Sequence, residues 1–146
     1  MTIYLDTSAL NRIFDDQSQI RIFLETSSLL VIFMFIENQI VDIVSSDVLL
    51  FENTKNSYNE RKIFVNSVLQ KAKVFQTIND KILKRAQEIE KYGIKGLDSL
   101  HLACAEELKV DYFITCDDKI VKKYNGKLKV KNPIEFMRDI IKEGEE

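Results

Sequence analysis

The chain has 146 residues, of which 45% are hydrophobic and 30% are charged, and its formal net charge is −2. This length and balance predict one folded domain over residues 1–146 and exclude a disordered or low-complexity protein. The near-neutral charge excludes a protein that holds nucleic acid by an overall basic field, so a polyanion would need a local basic patch or metal ions.

Five short segments rich in β-branched or aromatic residues alternate with helical patterns. The predicted strands are TIYL (2–5), IVDIVSS (40–46), VFQTI (74–78), YFIT (112–115) and KLKVK (127–131). The helical patterns cover residues 18–39, 46–57, 59–73, 79–93, 97–109 and 133–143. Strands that alternate with helices indicate βαβ units, and therefore an α/β fold with a parallel sheet covered by helices on both faces.

The first long helical pattern contains an unbroken apolar run, LLVIFMFI, at residues 29–36. A membrane span needs about 20 apolar residues, so the run predicts a helix packed on several sides and no membrane insertion. One helix face cannot bury the whole run, and an exposed apolar patch marks an interaction surface. We therefore expect a homodimer, or an equally large surface for another partner.

The cysteines and the start of the chain bear on the compartment. Cys104 and Cys116 are the two cysteines, and they form neither a zinc motif nor a disulfide framework. The chain starts without a basic segment followed by an apolar one. These features predict free thiols in a reducing cytoplasm.

Two predicted strands end in acidic residues. Asp6 follows TIYL, and Asp117 and Asp118 follow YFIT after one or two intervening residues. Ligands of parallel sheets bind outside the carboxyl ends of the strands, which makes these acids candidates for a shared site. Asp after a strand is also a common helix N-cap, and that structural role stays open for Asp117.

Two further carboxylates lie on predicted helices beside apolar residues. Glu52 shares a helix face with Val48 and Leu49, so its charge lies on the side that the helix should bury. Asp98 shares a face with Leu102, at the edge of another buried stripe. A first-turn acid that is stabilised by the helix dipole is the alternative for both residues.

Four converging carboxylates would repel one another unless protons or a cation relieve them. Oxygen-only donor sets suit Mg²⁺ or Mn²⁺. His101, the one histidine, gives no zinc cluster. It follows Asp98 by three residues and either lies near the acids or is a satisfied, half-buried side chain.

The motifs LDTSAL, VSSDVLLFE, GLDSLHLACA and FITCDD, in this order, resemble the PIN domain of metal-dependent nucleases. The resemblance runs over essentially the whole chain. It implies a three-layer α/β/α sandwich with an acidic quartet of Asp6, Glu52, Asp98 and Asp117. It also implies supporting roles for Ser8 beside the first acid and for Thr115, which steadies the last. Asp118 departs from the family pattern, since either acid after Thr115 could reach a metal, but Asp117 fits the Thr-x-Asp spacing.

The same resemblance implies hydrolysis of RNA phosphodiester bonds with one or two Mg²⁺ or Mn²⁺ ions held by the quartet. The chain is similar to small stand-alone members, many of which are toxins of VapBC-type pairs with a small antitoxin protein. Because carboxylates repel RNA, basic residues must help to hold the backbone. The candidates near the strand ends are Arg12, Lys119, Lys122 and Lys123.

Two other classes of function stay open. One is a catalytically inert binding module for protein or RNA that keeps the fold, against which the four acids argue. The other is an aspartyl-phosphate enzyme with Asp6 as its nucleophile. Phosphatases of that type resemble a pattern with a second acid two residues later, where this chain has Ser8.

Overall fold

A sheet of five parallel strands forms the centre of the protein. The computed structural model describes residues 1–145, and side chains over 1–144. The strands are β1 (Thr2–Leu5), β2 (Asp42–Ser46), β3 (Val74–Gln76), β4 (Tyr112–Ile114) and β5 (Lys129–Lys131). Their order in the sheet is β3-β2-β1-β4-β5, and each neighbouring pair is parallel. The central β1 is covered on both faces, which explains its uninterrupted apolar sequence.

Helices connect the strands and cover the sheet. Over the described residues they are α1 (Thr7–Asn11), α2 (Ile20–Glu37), α3 (Asp47–Thr54), α4 (Asn59–Leu69), α5 (Asp80–Glu90), α6 (Leu97–Leu108), α7 (Asp118–Lys123) and α8 (Pro133–Glu145). Helix α2 packs against α8, and α5 packs against α6. The predicted three-layer α/β/α architecture is confirmed.

Among the described residues, two short α-helices and a 3-10 helix (Arg12–Phe14) are not predicted by the hydrophobic pattern. Helix α1 has five residues and α7 has six, so neither is long enough for a clear apolar period. Both begin at an aspartate whose side chain accepts a hydrogen bond from a backbone amide, Asp6 for α1 and Asp117 for α7. These caps place both aspartates where a strand ends and a helix starts.

Helix α2 carries the apolar run, and it is buried on one face only. Leu29, Ile32 and Ile36 belong to the core, whereas Leu30 and Met34 are 50% and 62% exposed. The expected packing on several sides is therefore incomplete within one chain. No helix in the described part of the chain is long and apolar enough to cross a membrane.

Candidate active site

The carboxyl ends of β1 and β4 lie side by side and carry two of the predicted acids. Leu5 of β1 is in register with Ile114 of β4, and the Asp6 amide donates to the Ile114 carbonyl at 3.2 Å. Asp6 and Thr115 directly follow these two strands, so they are neighbours at the carboxyl ends of the strands. Parallel pairing of the central strands brings residues 109 positions apart together here.

Asp6 is nearly enclosed, with 3% of its surface exposed. Its Oδ1 accepts hydrogen bonds from the Ser8 hydroxyl at 2.7 Å and from the Ala9 amide at 3.0 Å. Burial raises the pKa of Asp6 and outweighs the hydroxyl and amide groups around the carboxylate. Asp6 thus caps α1 with one oxygen while its negative charge is poorly solvated.

Hydroxyl groups link this acid to the end of β4. The Ser8 Oγ accepts from the Cys116 amide at 3.0 Å and lies 3.2 Å from the Thr115 Oγ1. The Thr115 Oγ1 in turn accepts from the Asp117 amide at 3.0 Å. Asp117 uses its Oδ1 to accept from the Lys119 amide at 2.9 Å. Ser8 and Thr115 therefore hold the backbone amides of Cys116 and Asp117 in place.

Glu52 reaches the same region from α3. The N-cap of this helix is Ser46, which is also the last residue of β2. Its Oε1 accepts from the Thr7 hydroxyl and lies 2.7 Å from His101 Nε2. Burial acts to raise the pKa of Glu52, but the hydrogen bonds from His101 and Thr7 outweigh it and lower the pKa. Both hydrogen bonds reach Oε1, and none from the described residues reaches Oε2. Glu52 is therefore kept ionised, and its Oε2 accepts no hydrogen bond from the described residues.

Asp98 lies in the first turn of α6, after Gly96 turns the chain at a φ of +62°. Burial, together with the negative charges of Asp6, Asp117 and Glu52, raises the pKa of Asp98 to about 6. No hydrogen bond from the described side chains or loops reaches its carboxylate. The charges of Asp6, Glu52 and Asp117 thus all act on Asp98.

Asp118, by contrast, is turned away from the cluster. Its side chain is 64% exposed and accepts two hydrogen bonds from the Arg21 guanidinium, that from Nη1 at 2.6 Å. These bonds are the main cause that lowers the pKa of Asp118. The structure therefore separates the two adjacent acids, with Asp117 at the site and Asp118 paired to α2.

Arg12 is not the free cation that we expected, because it is paired with acidic side chains. Its Nη1 donates to Asp15 at 2.9 Å, and its Nε lies 3.1 Å from Oε1 of the fully buried Glu25, without hydrogen-bond geometry. A buried carboxylate needs such a partner, because an uncompensated charge in the core is costly. The other three candidate cations are exposed on α7 beside Asp117: Lys119, Lys122 and Lys123.

Sequence reasoning did not single out Tyr4 or Thr7, and it gave His101 two alternative roles. His101 contacts Glu52, as the first alternative expects, but at 1% exposed it is fully buried rather than half-buried. Tyr4 lies two residues before Asp6 and hence on the same face of β1, which is the signal that could have identified it. Thr7 carries no such signal, since its partner Glu52 is 45 residues away.

The capping role of Asp6 gives a first prediction about stability. We expect Asp6→Asn to leave the melting temperature of the metal-free protein unchanged or to raise it, because Asn keeps the cap and removes a buried charge. Asp6→Ala removes the cap as well and should cost about 1 kcal/mol of unfolding free energy. The measurement is thermal and urea unfolding of the three proteins with a chelator present. Equal destabilisation by Asn and Ala would show that the charge itself is structural.

The raised pKa of Asp98 predicts that the metal-free protein loses stability as pH rises. The pKa moves from its ordinary value of 3.8 to about 6, so the folded chain binds more protons than the unfolded chain between these values. The stabilisation is complete below the lower value and is lost as pH rises through the upper one. Asp6 acts in the same direction, and Glu52 acts oppositely but only near and below its ordinary pKa of 4.5.

We expect a loss on the order of 1 kcal/mol between about pH 5 and pH 7.5, since Asp98 is partly exposed and solvent screens its charge. Urea unfolding across this range with a chelator measures it. Asp98→Asn should flatten the profile. A wild-type profile that rises with pH would contradict the arrangement of the acids.

Comparison with known proteins agrees with this geometry. The family model of the PIN domain matches residues 3–126. No curated protein sequence matches the chain significantly. Among solved structures, the chain is similar to a toxin–antitoxin complex from Klebsiella pneumoniae, with a TM-score of 0.57 and 20% identity over 90% of this chain and 97% of that one.

Two further solved structures are similar. VapBC2 from Rickettsia felis, bound to a DNA fragment from its promoter, has a TM-score of 0.55 and 16% identity over 90% of this chain and 98% of that one. PAE2754 from Pyrobaculum aerophilum has a TM-score of 0.50 and 15% identity over 98% and 99%. At these identities the structures show a shared fold alone. Because the family model covers most of its length, the chain belongs to the PIN domain family.

Proposed function

We propose that this protein is a metal-dependent endoribonuclease whose acidic quartet is Asp6, Glu52, Asp98 and Asp117. The observation that carries the proposal is the environment of Asp98, whose pKa is raised to about 6 by burial and by the other three charges. Membership of the PIN domain family supports the same reading. A cluster of this kind is costly without a cation, which favours a site built to hold one.

The donor set fits Mg²⁺ or Mn²⁺. Its members offer carboxylate oxygens, and the hydrogen bonds to Glu52 leave Oε2 free. The described residues contain no group of three His, Cys, Asp or Glu side chains close enough to hold an ion together. One or two ions would therefore keep several waters, as Mg²⁺ does in most protein sites. When bound, such an ion supplies an activated water and neutralises charge on the phosphate.

The residues around the quartet have supporting tasks in this proposal. Ser8 and Thr115 fix the loop before Asp117, and Thr7 and His101 fix one oxygen of Glu52. The RNA backbone would be held by the exposed lysines of α7, Lys119, Lys122 and Lys123. Arg12 and Asp118 are left out, because each is engaged in an ion pair.

We further propose that the protein acts in the cytoplasm as the toxin of a toxin–antitoxin pair. The similarity to the Klebsiella pneumoniae and Rickettsia felis structures, which both contain such pairs by name, supports a small antitoxin protein as partner. The exposed apolar face of α2 offers a surface for it or for a second copy of this chain. The residues of that face are Phe23, Leu30 and Met34, which are 54%, 50% and 62% exposed.

This face predicts a homodimer in the absence of another partner. Phe23, Leu30 and Met34 are seven and four residues apart, so they form one stripe along the helix. We expect sedimentation at micromolar concentration to show a dimer, and Leu30→Glu to shift it to monomer. The matched control is Leu83→Glu at a 45% exposed site on α5, which should leave the dimer intact. A wild-type monomer with no co-purifying protein would contradict the prediction.

The alternative is an inert PIN-fold module that binds protein or RNA without cleaving it. Incubation of the purified protein with mixed cellular RNA, with Mg²⁺, with Mn²⁺ and with a chelator, separates the two. We expect cleavage with either metal and none with the chelator. Cleavage that survives the chelator would mean another chemistry or a contaminant. Intact RNA under both metals would mean either that the specific target is missing or that the module is inert, and a Mn²⁺ titration separates these two, since an inert module has no reason to bind Mn²⁺.

A further inference from the structure

A chain of hydrogen bonds runs through the core from the start of α3 to Glu52. Its members are almost fully buried, with Ser46 and Tyr4 0% exposed and His101 1% exposed. The bonds join Leu49 N to Ser46 Oγ at 3.1 Å, Ser46 Oγ to Tyr4 Oη at 2.8 Å, Tyr4 Oη to His101 Nδ1 at 2.6 Å and His101 Nε2 to Glu52 Oε1 at 2.7 Å. These distances are those of well-formed hydrogen bonds.

The two ends of this chain fix its direction. The Leu49 amide can only donate, and the ionised Glu52 carboxylate can only accept. His101 therefore carries a hydrogen on Nε2, which donates to Glu52. In the neutral ring Nδ1 is then an acceptor, so it takes the Tyr4 hydroxyl hydrogen. Tyr4 in turn accepts from the Ser46 hydroxyl, and each donor in the chain has one acceptor.

The alternative, a His101 ring that is protonated on both nitrogens, leaves the Ser46 hydroxyl without an acceptor. If His101 carried hydrogens on both nitrogens, Tyr4 would have to donate to Ser46. The hydroxyl hydrogen of the fully buried Ser46 would then have no acceptor among its hydrogen-bond partners in the described residues. Leaving a buried donor unpaired costs about 1–3 kcal/mol.

We propose that Tyr4 and His101 are positioning residues for Glu52. Tyr4 donates to Nδ1 of His101 and holds the ring in place, and His101 together with Thr7 holds Oε1 of Glu52, which would leave Oε2 available to a metal ion. The tautomer follows from this chain's hydrogen bonds alone, whereas the role toward the metal rests on the proposed function. Partners that orient metal ligands in this way commonly change metal affinity 10- to 100-fold.

The tautomer can be measured directly, because His101 is the one histidine in the sequence. Long-range ¹H–¹⁵N spectra of the metal-free protein at neutral pH should show a single Nε2–H imidazole. Tyr4→Phe keeps the ring, which stacks on Phe113 at 5.2 Å, and should keep the Nε2–H form but shift the Nδ1 resonance, because that nitrogen loses its hydrogen-bond donor. An Nδ1–H ring or an imidazolium in the wild type would overturn the tautomer assignment, as would a Tyr4→Phe spectrum identical to that of the wild type.

The role toward the metal is tested with Mn²⁺ alone, by calorimetric titration. We expect His101→Leu to weaken binding by about 10-fold or more, and His101→Gln, whose amide can still donate to Glu52, to retain most of it. Tyr4→Phe should lie between them and serves as the test if His101→Leu does not fold. Unchanged affinity in folded His101→Leu or Tyr4→Phe, with wild-type binding intact, would overturn the positioning role. Absent binding in the wild type would instead overturn the proposed function, and the tautomer result would stand separately.

Discussion

Replacement of Asp98 by Asn is expected to reduce RNA cleavage on the order of 100-fold or more while the protein stays folded. The charges of Asp6, Asp117 and Glu52 act on this carboxylate, and its loss removes charge that a bound cation needs. The folded state should be no less stable, because Asn is uncharged and Asp98 makes no hydrogen bond from the described side chains. Initial cleavage rates at saturating Mg²⁺, together with thermal unfolding, measure both effects. Amide variants of Asp6, Glu52 and Asp117 should behave alike.

The adjacent acids Asp117 and Asp118 provide a matched control for this prediction. Asp117→Asn should abolish most of the activity, since its amide is anchored at the site by Thr115. Asp118→Asn removes only an exposed ion pair with Arg21 and should leave the cleavage rate close to that of the wild type. The reverse ranking of the two variants would assign the fourth ligand to Asp118 and contradict the geometry described above.

Replacement of Glu25 by Gln is expected to have the largest effect on stability. Glu25 is 0% exposed, lies 3.1 Å from Arg12 and 3.5 Å from Arg21, and accepts a hydrogen bond from Asn132. Removing one partner of a buried ion pair leaves the other charge uncompensated. We expect a loss of about 3 kcal/mol in unfolding free energy, the lower end of the usual range, because both arginines keep some contact with water.

Urea unfolding of Glu25→Gln measures this loss. The control is Glu37→Gln, which breaks a surface pair with Lys71 whose two side chains are 64% and 46% exposed. Its expected effect is about 0.5 kcal/mol or less. Equal effects of the two variants would mean that the buried charge cluster contributes no more than a surface pair.

The strands and the long helices could be predicted because their hydrophobic periods are clear and each is buried on a defined face. The second strand was predicted from residue 40, but it begins at Asp42 because Ile40 and Val41 still donate to Phe35 at the end of α2. The short helices α1 and α7 escaped prediction because five or six residues show no period. Asp6 and Asp117 cap these helices, a role that the sequence leaves open for Asp117.

The sequence could not predict which charged residues form ion pairs when they lie far apart in the chain. Asp118 is separated from the site by Arg21, which lies 97 residues earlier in the sequence. Arg12 looked like a free cation because its buried partner, Glu25, lies on α2, 13 residues later in the sequence. No local pattern shows which carboxylate a given arginine will meet. Residue type and spacing therefore suggest the candidate acids but do not predict their cationic neighbours.

The most direct test of the central claim is a calorimetric titration of the metal-free protein with Mn²⁺, because it requires no knowledge of the target RNA. The account predicts that the wild type binds one or two ions and that Asp98→Asn loses most of this affinity. Asp118→Asn should bind like the wild type. A wild-type protein that binds no Mn²⁺, or an Asp98→Asn variant that binds it equally well, would contradict the account.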